Sequence, residues 1–146
     1  MSQLPHSLRL FSLLALSSLT WGCAGAPQPQ GKAIEYLEIV TPDVAGTCKA
    51  LSAIHGVTFA APDPALGNAQ TADLANGGRI GVRAPMAAHE KSIVRPYLLV
   101  PDIEAAVAAA RAAGAEIAMP ATPIQGQDGK FAIYILGGVQ HALWQR

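Results

Sequence analysis

The stretch YLEIVTPDV at residues 36–44 indicates how this chain folds, because RPYLLVPDI at residues 95–103 has the same pattern. In each stretch a run of β-forming residues ends in Pro-Asp, and a segment with helical spacing follows. Asp43 and Asp102 stand where a helix N-cap is expected, since a short carboxylate can accept from the free N–H groups of a first turn. The two aspartates are 59 residues apart (102 − 43 = 59). The chain therefore contains one strand-to-helix unit in two copies.

Both copies predict the order strand, helix, strand, strand, strand. In the first copy the predicted elements are a strand at 33–41, a helix from Asp43 to Gly56, and strands at 57–60, 71–75 and 78–84. In the second copy they are a strand at 93–100, a helix from Asp102 to Gly114, and strands at 115–119, 130–136 and 139–145. The last two strands of each copy flank a glycine pair, Gly77-Gly78 or Gly137-Gly138, which is typical of a hairpin turn.

Two β-α-β-β-β modules in tandem predict an α+β fold, with module one at about 34–86 and module two at about 93–146. A solenoid needs three or more copies, so two copies favour a paired-module domain. Hydrophobic residues make up 51% of the 146 residues and charged residues 14%, which is enough apolar material for a core. The formal net charge is zero and there is no basic stripe. Nucleic acid is therefore not an expected partner.

The first 23 residues have the pattern of a bacterial export signal. An apolar run at 10–22 is too short to cross a bilayer comfortably but suits the core of a signal peptide. Cys23 follows directly, and the segment resembles a lipoprotein signal, which implies acylation of that cysteine. We assign residues 1–23 to a signal that ends at the lipidated Cys23. Residues 24–33, rich in Ala, Pro, Gln and Gly, read as a flexible tether.

This interpretation predicts an exported protein that is lipid-anchored in a bacterial membrane and faces the periplasm or the exterior. One alternative is ordinary secretion of a soluble protein after cleavage at Ala24-Gly25-Ala26, and another is an uncleaved anchor. Cys48 is the one cysteine besides Cys23, so a lipidated product has no internal disulfide. The place of Cys48 in an amphipathic helix predicts a buried, inert thiol.

The tandem β-α-β-β-β unit resembles the vicinal oxygen chelate (VOC) superfamily, which includes glyoxalase I, bleomycin-resistance proteins, extradiol dioxygenases and methylmalonyl-CoA epimerase. The opening YLEIVTPDVAGTCKALSAIHGVTF at 36–59 is similar to the family's first strand, Asp-capped helix and following turn. The ending ALWQ at 142–145 resembles the glyoxalase-like hydroxylase branch. The resemblance implies that the two modules form a U-shaped cleft.

Metal-using members of this family place one ligand on the first strand and one on the last strand of each module. Carried over by residue, the first-strand positions are Tyr36 and Arg95. The last-strand position is Ala142 in module two and either Gly81 or Arg83 in module one. None of these is the imidazole or carboxylate that a divalent metal prefers. The resemblance therefore implies a cleft without a metal, and we predict no cofactor.

Strand alternation places Tyr36 and Glu38 on one face, and Arg95 and Tyr97 on the equivalent face of the other module. If these faces line the cleft, Gln140 and Trp144 lie nearby on the last strand. One interpretation is a small-molecule site in which the arginine holds a carboxylate or carbonyl oxygen and the aromatic rings stack on a flat or apolar body. The alternative is that the acid and the arginine neutralise each other and the aromatic residues are core.

Three functions remain open at this point. The first is binding of a small organic molecule without a metal. The second is a lyase-, isomerase- or dioxygenase-like enzyme with Glu38 as general base and Arg95 or Tyr97 as oxyanion partner. The third is a structural surface lipoprotein without a usable cleft, which could form a homodimer.

Three other features complete the prediction. His89 and Glu90 lie in a linker and are expected to be solvated. His141 is expected to point away from the cleft. The glycine-rich loop at 124–129 is expected to be a mobile lip over the cleft.

Overall fold

The computed structural model describes residues 33–75 and 77–146. The predicted signal, Cys23, the tether up to residue 32 and Asn76 lie outside the described residues. Lipidation, export and dimer formation therefore stay predictions. None of the helices in the described part of the chain is long and apolar enough to cross a membrane.

The order of elements follows the repeat. The described residues form seven strands, two α-helices and one 3₁₀ turn at Pro64–Leu66. Their bounds are β1 Ile34–Val40, α1 Val44–His55, β2 Gln70–Asp73, β3 Arg79–Arg83, β4 Ile93–Leu99, α2 Ile103–Ala112, β5 Glu116–Pro123, β6 Lys130–Leu136 and β7 Val139–Gln145.

The two predicted helix starts are confirmed. Asp43 Oδ1 accepts a hydrogen bond from Gly46 N at 2.9 Å, and Asp102 Oδ1 accepts one from Ala105 N at 3.0 Å. Each bond satisfies an N–H group that has no partner within the helix. Gly56 ends α1 in the left-handed region, with φ of 67°, a conformation that glycine adopts without steric cost.

All seven strands belong to one mixed sheet in the order β2-β3-β1-β4-β7-β6-β5. The first strands of the two modules, β1 and β4, pair antiparallel at its centre, with Tyr36 opposite Tyr97 and Glu38 opposite Arg95. The offset of 59 residues maps Tyr36 onto Arg95 and Glu38 onto Tyr97. The two modules are therefore related by an approximate twofold axis through the centre of the sheet, as the repeat predicts.

Two element predictions were wrong. Residues 57–60 do not form a strand, although Ala60 N donates to Thr71 O at 2.8 Å beside β2. Pro62 has no N–H to donate, and the pairing resumes only at Asp63, whose N donates to Ala69 O at 2.9 Å. Conversely, β5 continues to Pro123, past the predicted end at Met119. β5 lies at the edge of the sheet, where prolines are tolerated within a strand.

The two faces of the sheet have different coverings. The helices lie on one face, where Cys48 of α1 packs against Ile80 and Val82 of β3. Cys48 is buried, as predicted, and burial raises the pKa of its thiol. The opposite face carries the side chains of Tyr36 and its alternating neighbours, and it borders a cavity.

Candidate ligand-binding site

A cavity of about 280 Å³ lies on the face of the sheet that the helices leave uncovered. Its volume is near the lower end of the usual range for ligand pockets, about 300–1,000 Å³. Both modules contribute to its wall. All six residues predicted to bind a ligand line it: Tyr36, Glu38, Arg95, Tyr97, Gln140 and Trp144.

Glu38 is the centre of a buried hydrogen-bond network. Its Oε1 accepts from Arg83 Nε at 2.6 Å, and its Oε2 accepts from Arg95 Nη1 and from the Tyr97 hydroxyl at 3.1 Å. Arg95 Nη2 also donates to the Gln140 side-chain oxygen. Glu38 and both arginines are buried, so the attraction between these charges is weakly screened by solvent.

Glu90 also belongs to this network. The sequence did not predict this role for Glu90. Its carboxylate accepts from Arg83 Nη1 at 2.9 Å and Nη2 at 2.6 Å, and it also accepts from the backbone N–H of Met86 at 2.7 Å. The hydrogen bonds from Arg83 lower the pKa of Glu90 to about 2. The linker prediction is correct for His89, which is exposed, and wrong for Glu90.

The sequence pattern predicts no partner for Arg83, which it identifies only as one of two candidate metal-ligand positions in module one. Burial opposes its charged form, but hydrogen bonds with Glu90 and Glu38 outweigh burial and raise the pKa of its guanidinium. The contact with Glu90 depends on a turn at residues 84–90 that returns to the strand end. A buried arginine needs carboxylate partners, but no spacing rule identifies a partner across an irregular turn.

The charges that line the cavity balance. Among the described residues of its wall, Glu38 and Glu90 are acidic and Arg83 and Arg95 are basic. Every one of the four takes part in an ion pair with a member of the opposite sign. The cavity therefore presents charged groups but no net charge.

Three aromatic rings form one wall of the cavity. The Tyr36 ring centroid lies 5.3 Å from that of Tyr97 and 5.6 Å from that of Trp144, and the last two are 5.9 Å apart. All three residues are buried and pack with Ile133 and Ala142. The two interpretations of these residues are therefore not exclusive, because the same rings are part of the core and line the cavity.

Two buried polar atoms at the cavity are left without a hydrogen bond. Among the described residues nothing pairs with the Tyr36 hydroxyl or with Arg95 Nε, although Tyr36 is only 3% exposed and Arg95 only 4%. Burial and the nearby Glu38 carboxylate raise the pKa of the Tyr36 phenol, which therefore remains neutral at physiological pH. Both atoms are hydrogen-bond donors. Each is enclosed by neighbouring atoms, so a ligand reaches it only when an adjacent side chain moves.

Gly81 makes room for the Tyr36 ring. A Cβ atom at this position would lie 1.9 Å from the Tyr36 hydroxyl oxygen, far inside van der Waals contact. Gly81 lies beside Glu38 in the parallel pairing of β1 with β3. The ring thus occupies space that a side chain on β3 would otherwise fill.

The geometry disfavours Glu38 as a general base. A base must have a free lone pair within reach of the proton that it removes. Of about four lone-pair sites on the Glu38 carboxylate, three accept from Arg83, Arg95 and Tyr97, which leaves one on Oε1. Glu38 and Arg95 converge on each other as well as on the cavity.

Two other predictions concern the surroundings of the cavity. His141 stacks on Tyr134 with ring centroids 5.1 Å apart, and it is not among the described residues that line the cavity, as predicted. The loop predicted to be a lip begins with Ile124, which is 3% exposed and packs in the aromatic core. The loop is also tied to module one, because Gln127 Nε2 donates to Asp63 Oδ2 at 2.8 Å.

No protein-family model and no curated protein matches the sequence. Solved structures match the fold. A hypothetical protein from Bacillus halodurans C-125 has a TM-score of 0.63 at 11% identity, covering 79% of this chain and 94% of that one. Methylmalonyl-CoA epimerase from Mycobacterium tuberculosis has a TM-score of 0.59 at 14% identity, covering 79% and 87%. The chain has the VOC fold.

A variant of 4-hydroxymandelate synthase from Streptomyces coelicolor contains the same fold within a longer chain. Its TM-score is 0.63 at 21% identity, and the match covers 77% of this chain but 38% of that one. These identities establish the VOC fold and nothing about activity. The function must be argued from the cavity.

The sheet register identifies the module-one residue that is equivalent to Ala142. Tyr97 pairs with Ala142 in module two, and its counterpart Glu38 pairs with Gly81 in module one. The four positions are therefore Tyr36, Gly81, Arg95 and Ala142, and Arg83 is not one of them. Two of the four side chains have no donor atom, one is a guanidinium and one is a neutral phenol, so this set does not fit a divalent metal.

The acidic residues of the cavity do not form an alternative set of metal ligands. Within residues 33–75 and 77–146, no three His, Cys, Asp or Glu side chains are grouped as metal ligands. Glu38 and Glu90 are each bonded to arginine instead.

Proposed function

We propose that this protein binds a small organic molecule in the cavity between its two modules, and that protein side chains provide the polar contacts that a metal provides in other proteins of this fold. The observation that carries the proposal is a cavity lined by both modules, two of whose lining residues, Tyr36 and Arg95, each keep one buried hydrogen-bond donor without a partner. A buried donor without a partner costs about 1–3 kcal/mol. A ligand that accepts from these donors would recover that free energy.

The apolar part of the wall supports the same proposal. Leu66, Met119, Phe131 and Ile133 line the cavity together with Trp144. An apolar pocket with a few placed polar groups is the usual form of a small-molecule site. A purely structural role is disfavoured, because the face of β1 and β4 that the helices leave uncovered borders a cavity of about 280 Å³.

A thermal-shift screen of the purified protein tests this proposal. We expect some small aromatic or apolar compounds to raise the melting temperature, because a ligand that binds only the folded state stabilises it. Zn²⁺, Ni²⁺, Mn²⁺ and Fe²⁺ should produce no comparable shift. Stabilisation by a divalent metal and by no organic compound would refute the proposal.

We also propose that the protein is exported and anchored through a lipid on Cys23. The support is the apolar run at 10–22 that ends at this cysteine. Each buried acyl CH₂ contributes about 0.8 kcal/mol to membrane binding. Metabolic labelling with radioactive palmitate in an expressing bacterium should label the wild type, and Cys23→Ala should lose the label while Cys48→Ala keeps it. Equal labelling of the wild type and Cys23→Ala would refute the anchor.

A further inference from the structure

We infer that the cavity takes an uncharged, largely apolar molecule that carries a hydrogen-bond acceptor such as a ketone, ester or amide carbonyl, and that the Tyr36 hydroxyl or Arg95 Nε donates to this acceptor once the side chains that enclose these two atoms move apart. This inference rests on the proposed binding function and names the chemical class of the ligand.

The need for an acceptor follows from the hydrogen bonds of Arg95. Its Nη1 donates to Glu38 and Tyr97 and its Nη2 to Gln140, so Nε and one N–H of Nη2 remain of the five N–H groups of the guanidinium. The second unpartnered group, the hydroxyl of Tyr36, belongs to a phenol that stays protonated and can also donate. Both buried atoms without a partner are therefore donors, and a ligand that accepts would satisfy them.

The absence of a formal charge on the ligand follows from the balance of charges in the wall. Arg83 and Arg95 are already paired with Glu38 and Glu90. An anionic ligand would be desolvated in the cavity with no unpaired cation to meet it, and it would lie close to two carboxylates. Burial of a charge without a partner is strongly unfavourable. The structure thus favours the carbonyl over the carboxylate, although the sequence left both open.

The apolar character follows from the remaining wall. Phe131 and Ile133 of β6 and Met119 of β5 line the cavity opposite the strands that carry the ion pairs. The rings of Tyr36 and Trp144 add a flat aromatic surface. Contact with a planar hydrocarbon body is the interaction that such a surface provides.

Four probes with the same naphthalene ring separate these properties in isothermal titration calorimetry. 2-Acetonaphthone and methyl 2-naphthoate carry a neutral acceptor, 2-naphthoate carries a negative charge, and 2-ethylnaphthalene carries neither. We expect the two neutral acceptors to bind more tightly than the anion and the hydrocarbon, each by about threefold to tenfold or more, the range given by one hydrogen bond.

Tyr36→Phe tests the assigned donor without breaking any hydrogen bond of the described protein. It should weaken binding of the two neutral acceptors about threefold to tenfold and leave 2-ethylnaphthalene unchanged. Tyr134→Phe is the matched control, because Tyr134 stacks on His141 and is not among the described residues of the cavity wall. It should leave all four affinities unchanged.

The inference is overturned if 2-naphthoate binds most tightly or if the hydrocarbon binds as well as the acceptors. If Tyr36→Phe leaves acceptor binding unchanged, the Tyr36 hydroxyl is not the donor and Arg95 Nε is. If none of the four probes binds while the broader thermal-shift screen still finds an organic ligand, the chemical class is wrong and the binding function stands. If neither experiment finds a ligand, both the inference and the proposed function fail.

Discussion

Glu38 and Arg95 lie directly opposite each other on β1 and β4, and the Glu38 carboxylate accepts a hydrogen bond from the Arg95 guanidinium. One residue comes from each module, so this ion pair joins the two halves of the repeat at the centre of the sheet. Arg83 bonds the other Glu38 oxygen at 2.6 Å. The same carboxylate therefore connects the modules and fixes the polar side of the cavity.

Glu38→Gln tests how much this hydrogen-bond network contributes to the stability of the fold. The substitution keeps the size of the side chain but leaves two buried guanidinium groups without a shared counter-charge. We expect the free energy of unfolding to fall by about 3–5 kcal/mol, as measured by urea denaturation at pH 7. Asp73→Asn is the control, because Asp73 pairs with Arg79 at the exposed surface, where ion pairs contribute little. A Glu38→Gln variant as stable as the wild type would contradict this account.

Gly81→Ala tests the position of the Tyr36 ring. The added methyl group would lie 1.9 Å from the Tyr36 hydroxyl oxygen, so the ring must move. We expect a loss of about 1–3 kcal/mol of stability from overpacking, measured by thermal denaturation. In a Tyr36→Ala background the same glycine substitution should cost much less, because the clash is gone. Equal costs in the two backgrounds would show that the ring does not lie over Gly81.

The bond between Glu90 and Arg83 predicts a specific pH dependence. The pKa of Glu90 is lowered to about 2 in the folded protein, whereas an unfolded glutamate has a pKa of about 4.3. A lowered folded pKa contributes stability above the unfolded pKa, and that contribution is lost as pH falls from about 4.3 towards 2. Glu90→Gln should therefore be less stable than the wild type by about 2 kcal/mol at pH 7.

Urea denaturation at pH 7, 4 and 2.5 measures this difference. The difference in the free energy of unfolding between the wild type and Glu90→Gln should become smaller as the pH falls through this range. Glu116→Gln, which changes an exposed glutamate at the start of β5, should show no such narrowing. A constant gap at all three pH values would mean that the Glu90 carboxylate does not form this bond in solution.

The repeat in the sequence predicted the residues that line the cavity better than it predicted the bounds of the surrounding strands. The offset of 59 residues placed Tyr36 and Arg95 on equivalent strands, and strand alternation then brought Glu38 and Tyr97 to the same face. These predictions succeeded because the period of a strand is fixed and the two first strands pair at the centre. Strand alternation also placed Gln140 and Trp144 at the cavity.

The parts that the sequence did not predict depend on geometry beyond local periodicity. Glu90 reaches Arg83 because a turn folds back, and a pattern of residue types does not specify that path. The choice of Gly81 over Arg83 as the metal-ligand position required the pairing register of β1 with β3. The failed strand at 57–60 had suitable residues, but among the described residues its only ladder bond is that of Ala60, and the next bond of this pairing comes from Asp63, beyond the predicted strand.

Native mass spectrometry of the purified protein tests the central claim most directly, because it weighs organic and metal adducts in one experiment. The protein is measured as purified, after incubation with the hits of the organic screen, and after incubation with Zn²⁺, Ni²⁺, Mn²⁺ or Fe²⁺. We expect a one-to-one adduct with an organic compound and no stoichiometric metal adduct. A stoichiometric metal adduct, with no organic compound bound in its absence, would contradict the claim that side chains alone form this site.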